Sequence, residues 1–231
     1  MTLSDAGGPS IPSPVTAIRD AVAAAPGVRR VVLTGSRAAR DPTPLSDWDF
    51  DVEMADDSVL DVIEHAVRPL PALAVFWDPL SERANLIALV EGPIKVDVIV
   101  PDAPNPHPIT RWTVTAESLA HVDEHFWDWT LWLAAKQLRG NTQLVETQLD
   151  RMWRALLEPI GAPAPPTTIG EAIAAYTEAS RRRARELEVR LDPGLADQVR
   201  AALVAHGIAA GPLSHSAGIG RQEKEQDPER A

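Results

Sequence analysis

The chain contains no cysteine, which excludes disulfides, thiolate metal sites and a cysteine nucleophile in one step. Basic residues are also scarce: 22 lysines and arginines stand against 33 aspartates and glutamates, a formal charge of -11. Because Lys and Arg supply most of the affinity for phosphate backbones, this balance argues against a nucleic-acid partner and favours a neutral or cationic substrate. No apolar run approaches the roughly 18 residues that a membrane span needs. The opening segment MTLSDAGGPSIPSP has neither a basic nor an apolar leader region. The expectation is a cytoplasmic protein without a membrane partner. No Walker A sequence and no G-x-G-x-x-G follows a strand-like run, which removes the commonest kinase and dinucleotide readings.

What is present is an ordinary globular composition, 45% hydrophobic and 24% charged over 231 residues, enough for one large core or two modest ones. Residues 1–13, rich in Gly, Ser and Pro, read as a flexible arm. A helix is expected over Pro14 to Ala25 and a buried strand over Val28 to Leu33, ending in a turn at Gly35. Asp47 to Met54 alternates charged with apolar residues and reads as a second strand whose odd positions share one face. Helical spacing over Ser58 to Val67 precedes strands at Ala72 to Trp77, Leu86 to Val90 and Lys95 to Val100. Beyond the proline-rich stretch Pro101 to Pro108 the pattern becomes helical: Ala116 to Leu138, Thr142 to Leu157, Ile169 to Leu191 and Leu195 to His206. The expected organisation is α+β, with an α/β lobe over 14–108, a helical lobe over 109–210 and a disordered tail over 211–231.

The chemistry concentrates in Gly35-Ser36-Arg37, then Ser46-Asp47-Trp48-Asp49-Phe50-Asp51, and later Lys95-Val96-Asp97-Val98. A strand ending in Gly-Ser offers backbone N–H groups and a small hydroxyl, so a polyphosphate can approach closely. Asp47 and Asp49, at i and i+2, project from one face, close enough to hold two divalent cations, and Asp97 completes the set from another strand. Like carboxylates about 4 Å apart repel by ~4 kcal/mol at an effective dielectric of ~20. A Mg²⁺ pair reverses that sign and neutralises charge on a transferring group. The alternative, a merely solvated strand face, does not account for the Gly-Ser turn upstream or Asp97 downstream. An EF-hand fails because Val52 and Ser58 stand where that loop needs Gly and Glu.

The stretch GSRAARDPTPLSDWDFDVE resembles the G-S … D-x-D signature of the polymerase beta-type nucleotidyltransferases. A second stretch, FWDWTLWLAAKQLRG, is similar to the F-W … K-x-L … R segment of the aminoglycoside 6-adenylyltransferases, through Phe126, Trp127, Lys136, Leu138 and Arg139. The resemblance implies a nucleotidyltransferase lobe with a mixed sheet followed by a helical bundle. It implies Gly35 and Ser36 as triphosphate holders, with Asp47 and Asp49 as Mg²⁺ ligands and Asp97 as a further metal ligand or the base. Asp51 and Glu53 are additional to that pattern.

Lys136 on the inner face of the first long helix, and Arg37 after the turn, are candidates for the nucleotide phosphates. Asp123, Glu124 and Asp128 are candidates for an acidic wall facing a cationic acceptor, although a helix start favours anions by itself. Phe126, Trp129 and Leu133 share one stripe and read as packing. His121 and His125, at i and i+4, lack the H-E-x-x-H pattern of a zinc hydrolase. The expected activity is transfer of AMP, or another NMP, from ATP or a related NTP to a hydroxyl of a small molecule, an aminoglycoside-like one first, with two Mg²⁺ and release of pyrophosphate. The alternatives are a transferase acting on a protein partner and a non-catalytic nucleotide sensor.

Overall fold

The computed structural model describes residues 10–55 and 60–208. The expected arm over 1–13 lies mostly outside these residues, and the expected tail over 211–231 lies wholly outside them. The fold is α+β, built on a mixed sheet of five strands: β1 (Val28–Leu33), β2 (Trp48–Met54), β3 (Ala74–Trp77), β4 (Arg83–Val90) and β5 (Ile94–Pro104). Their spatial order is β1-β2-β5-β4-β3. Only β2 and β5 run parallel; the other neighbours are antiparallel.

The alternation in β2 decides which way the sheet faces. Trp48, Phe50 and Val52 are buried with Val15, Ile18 and Val22 of α1 (Ser13–Ala23) and Ile63 and Val67 of α3 (Leu60–Val67). Asp49 and Asp51 therefore face the other way, as a period of two requires. The second face is split by chemistry. Its β4 and β3 half is apolar, and Ala74, Ile87 and Leu89 join the core of the helices α4 (Leu119–Leu138), α5 (Thr142–Met152), α7 (Ile169–Glu186) and α8 (Gly194–Ala205). Its β2 and β5 half carries carboxylates and Lys95, and this half becomes the floor of a cleft.

Helix α4 is the axis of the helical layer. It is buried on most sides, from Leu119 and Val122 through Phe126 to Leu133 and Ala134, which is the pattern of a central helix rather than a surface one. Phe126 stacks on Tyr176 of α7 with ring centroids 3.7 Å apart. Helix α7 begins at a capping threonine, where the Glu171 amide donates to Thr168 Oγ1 at 3.1 Å. It ends at Glu186, short of the expected Leu191, because the chain turns left-handed at Glu188, φ 56°. The helix expected over Thr142 to Leu157 changes at Trp153 into a π-helical turn, Trp153–Leu157, before the short α6 (Glu158–Ile160).

Strand β5 runs on through Pro101 to Pro104, where a loop is expected from the prolines. Ala84 pairs with Val100 and Arg83 with Pro104, so the intervening residues bulge out and Pro101 owes no ladder hydrogen bond. Among the described residues no helix is long and apolar enough to cross a membrane.

Candidate metal and nucleotide cleft

The site starts where β1 ends. The Thr34 amide donates to the Asp49 carbonyl at 2.8 Å, holding the chain beside β2 until it turns. Gly35 makes that turn at φ 64°, a left-handed conformation suited to glycine. It also lies against Asp49: a β-carbon at Gly35 would stand 2.9 Å from the Asp49 carboxyl carbon and collide with Oδ2. The turn of helix α2 (Gly35–Ala38) follows.

Arg37 is taken up by the backbone. Its Nε donates to the carbonyls of Ser46 and Asp47 at 3.1 and 3.0 Å, and its guanidinium lies 4.2 Å from the centre of the Trp48 ring. It thus clamps the loop that presents Asp47 and does not line the cavity containing Gly35 and Ser36. From the helical layer, Arg139 Nη2 donates to the Asp41 carbonyl at 2.7 Å and ties the same loop to α4.

Asp49 and Asp97 are direct register partners across the parallel β2/β5 pair. With Asp47 they bring one carboxylate oxygen each within 4.8 Å of one another. Asp97 Oδ1 accepts from Asn85 Nδ2 at 3.0 Å. Burial, then repulsion from Asp97 and Asp49 against the pull of Lys95, pushes the Asp47 carboxyl up to about 7. Burial, then Asp97, raises Asp49 to about 6. Asp47 Oδ1 is buried without a hydrogen-bond partner. Three crowded carboxylates, one of them with an orphaned oxygen, suit a hard divalent cation that prefers carboxylate ligands.

Lys95, read in the sequence only as the start of a strand, is the buried counter-charge. Its Nζ lies 2.7 Å from Asp128 Oδ1 on α4 and 3.4 Å from Asp97 Oδ1. Burial would lower its affinity for a proton, but Asp128, Asp97 and Asp47 together hold it well above the usual lysine value. Asp128, buried, is pushed up to about 7 despite Lys95.

Two cavities meet at these carboxylates. One, about 390 Å³, is lined by Gly35, Ser36, Asp47, Asp49, Lys136 and Arg139. The other, about 380 Å³, shares Asp47, Asp49 and Lys136 and extends past Asp97 and Asp128 to Asp78, His125, Trp129, Trp132 and Arg151. Lys136 Nζ sits 4.8 Å from the Trp132 ring centre at the junction.

The structure thus brings together Gly35, Ser36, Asp47, Asp49, Asp97, Asp128 and Lys136. It does not bring Asp123 or Glu124 to the cleft lining. Asp123 is buried inside the helical layer, accepting from Tyr176 Oη at 2.7 Å and Trp127 Nε1 at 3.1 Å. Glu124 faces the exposed His121 at 3.2 Å. The helical period separates Asp123 from Asp128: five residues are more than one turn, so the two emerge on different faces.

No family model and no curated protein matches the sequence. Among solved structures, an aminoglycoside 6-adenyltransferase from Bacillus subtilis is similar over 86% of this chain and 99% of that one, at 10% identity and a TM-score of 0.30.

Proposed function

We propose that the protein is a metal-dependent nucleotidyltransferase that moves an NMP group, AMP first among them, from an NTP to a hydroxyl of a small molecule. The observation that carries this reading is the convergence of Asp47, Asp49 and Asp97 within 4.8 Å at the junction of two cavities, one containing the Gly35-Ser36 turn and Lys136. A transferase needs that plan: a donor on one side, an acceptor on the other, and charge stabilisation between them.

Asp47, Asp49 and Asp97 are the residues that would hold Mg²⁺. The bound ions would supply charge neutralisation at the α-phosphate and the leaving pyrophosphate. The Gly35-Ser36 turn offers backbone N–H groups and the Ser36 hydroxyl to the triphosphate, and the missing side chain at Gly35 leaves room for the Asp49 carboxylate beside it. Lys136 offers a point charge to the same phosphates, and Arg139 fixes the loop that carries Asp47. On the acceptor side, Asp97 and Asp128 add two further carboxylates to the lining, and Trp129 and Trp132 line the same cavity. Lys95 keeps Asp97 and Asp128 in place. An amino sugar of the aminoglycoside kind fits the acidic character of the acceptor side.

The test is pyrophosphate release from ATP and GTP with Mg²⁺, against aminoglycosides, lincosamides and no acceptor, with Asp49→Asn in parallel. Acceptor-dependent release that disappears in the variant supports the reading. Release unchanged in Asp49→Asn rules out the metal assignment, and no release with any acceptor counts against the small-molecule reading.

A further inference from the structure

A third cavity, about 390 Å³, lies behind the cleft, between the loop that presents Asp47, the tip of the β4/β5 hairpin and helix α8. The cleft holds carboxylates and buried polar atoms without partners, Asn85 Oδ1 and both nitrogens of His125 among them. The rear cavity has the reverse chemistry. Although the chain carries 33 acidic residues, none lines it; its ionisable residues are Arg37, Lys95 and His206. Lys95 brings no free charge, since its Nζ is committed to Asp128 at 2.7 Å and Asp97 at 3.4 Å.

Arg37 differs. Its Nε and Nη2 donate only to the carbonyls of Ser46 and Asp47, and among the described residues no carboxylate pairs with it. Nη1 takes part in none of these bonds, and a half-buried guanidinium whose partners are all neutral lacks a counter-ion. Gln198 adds a donor. Its Oε1 accepts from the Gly92 amide at 3.0 Å, which pins the hairpin tip to α8 and leaves the amide nitrogen, with two N–H groups, available to a ligand. The remaining walls are apolar, formed by Pro44, Leu45, Ile94, Ala201 and Ala205 among others, and Pro44, Ala201 and Ala205 stay exposed. The complementary ligand has a compact apolar body to cover these side chains and one anionic group for the Arg37 fork and the Gln198 amide. A cation finds no counter-charge here.

The rear cavity shares walls with the cleft. Ser46 lines it and the nucleotide-side cavity, and Lys95 lines it and the acceptor-side cavity. A ligand here braces the loop that carries Asp47 from behind, which lowers the cost of ordering that loop around a nucleotide. We infer that the rear cavity is an effector site for a small monocarboxylate with an apolar body, and that its occupation tightens Mg·ATP binding in the cleft. The effect on Mg·ATP rests on the transferase reading; the binding of the carboxylate does not.

The experiment titrates the ¹⁵N-labelled full chain with cyclohexanecarboxylate. Cyclohexanecarboxamide has the body without the charge, acetate the charge without the body, and cyclohexylamine the opposite charge. The expected result is that cyclohexanecarboxylate shifts the Gly92 and Ala205 backbone amides and the Gln198 side-chain amide, with a Kd at least tenfold below that of each control. Ala201→Phe, which fills the cavity from the exposed side of α8, weakens the carboxylate at least tenfold and leaves Mg·ATP affinity in its absence native. Arg37→Gln removes the preference for the acid over the amide. Saturating carboxylate tightens Mg·ATP at least threefold in the native chain, and Mg·ATP tightens the carboxylate by the same factor. The inference is overturned by equal binding of the amide or the amine, by native affinity in Ala201→Phe, or by shifts confined to cleft residues such as Trp132 and Lys136. Shifts that follow protein concentration, which assign the cavity to a second copy of the chain, overturn it too, as does carboxylate binding that leaves Mg·ATP affinity unchanged. Failure of Mg·ATP to bind the native chain at all, with the carboxylate bound as expected, overturns the transferase reading and leaves the carboxylate site standing.

Discussion

Gly35 and Asp49 occupy one space: the glycine has no side chain where the carboxylate lies, with the Asp49 carboxyl carbon 2.9 Å from where a β-carbon would be. Replacement by Ala therefore meets a left-handed backbone and a collision together. Gly35→Ala is expected to lower stability by about 1–3 kcal/mol and to reduce kcat/KM by at least about 100-fold. Urea unfolding and steady-state kinetics check both, and wild-type turnover in a folded variant would show that the turn is not part of the site.

Asp49→Asn removes one of the crowded charges. In metal-free protein the melting temperature is expected to stay level or rise, since repulsion with Asp97 and Asp47 is relieved. Mg·ATP is expected to stabilise the native chain but not the variant, and turnover is expected to fall about 100- to 1,000-fold or more. Thermal melts with and without Mg·ATP read this directly.

Lys95→Met leaves Asp97 and Asp128 facing each other in a buried site without their cation. A cost of about 3–5 kcal/mol is expected, or roughly 6–20 °C in melting temperature for a chain of this size. Lys95→Met combined with Asp128→Leu should recover most of it, which a double-mutant cycle measures. Additive losses would show that the two residues are not coupled.

Burial raises Asp123 to about 6, with Glu124 adding to the rise and Tyr176, Trp127 and Arg200 opposing it. Its native carboxyl holds a proton more tightly than the unfolded one at about 3.9. Its contribution is fully present below about pH 4 and is lost as pH rises through about 6. Asp123→Asn keeps an oxygen for Tyr176 and Trp127 without the charge. It should stabilise the protein by on the order of 1–3 kcal/mol at pH 7.5 and by little at pH 4, as denaturation curves across that range will show.

His125 works in the opposite sense. Burial lowers it to about 4, with Asp78 resisting and Lys95 and Arg151 assisting. Its neutral native ring favours folding fully above about pH 6.5, and that contribution is lost as pH falls towards 4. His125→Phe should remove about 3 kcal/mol of this acid sensitivity, visible as a flatter stability profile between those limits.

Much of the cleft was legible because it is local. The alternation of β2 places Asp49 and Asp51 on one face, and the Gly-Ser turn marks the end of β1 in a few letters. Lys95 was not legible: a lysine opening a strand reads as solvated until Asp128 arrives from α4 to bury it. Arg37 reads as a phosphate ligand from its position after the turn, and only the folded loop shows it holding the carbonyls of Ser46 and Asp47. His125 differs from any packed helical residue only in having no partner, a property of three-dimensional neighbours. The prolines of β5 mislead because a bulge is invisible before its partner strand is known.

The central strand of the sheet is also the last of the five to be synthesised. β1 with β2, and β3 with β4, are antiparallel neighbours that can form as two separate ribbons while the chain leaves the ribosome. β5 must then insert between them, pairing with β2 on one side and β4 on the other. Until it does, Asp97 has no register partner in Asp49, and the three carboxylates cannot converge.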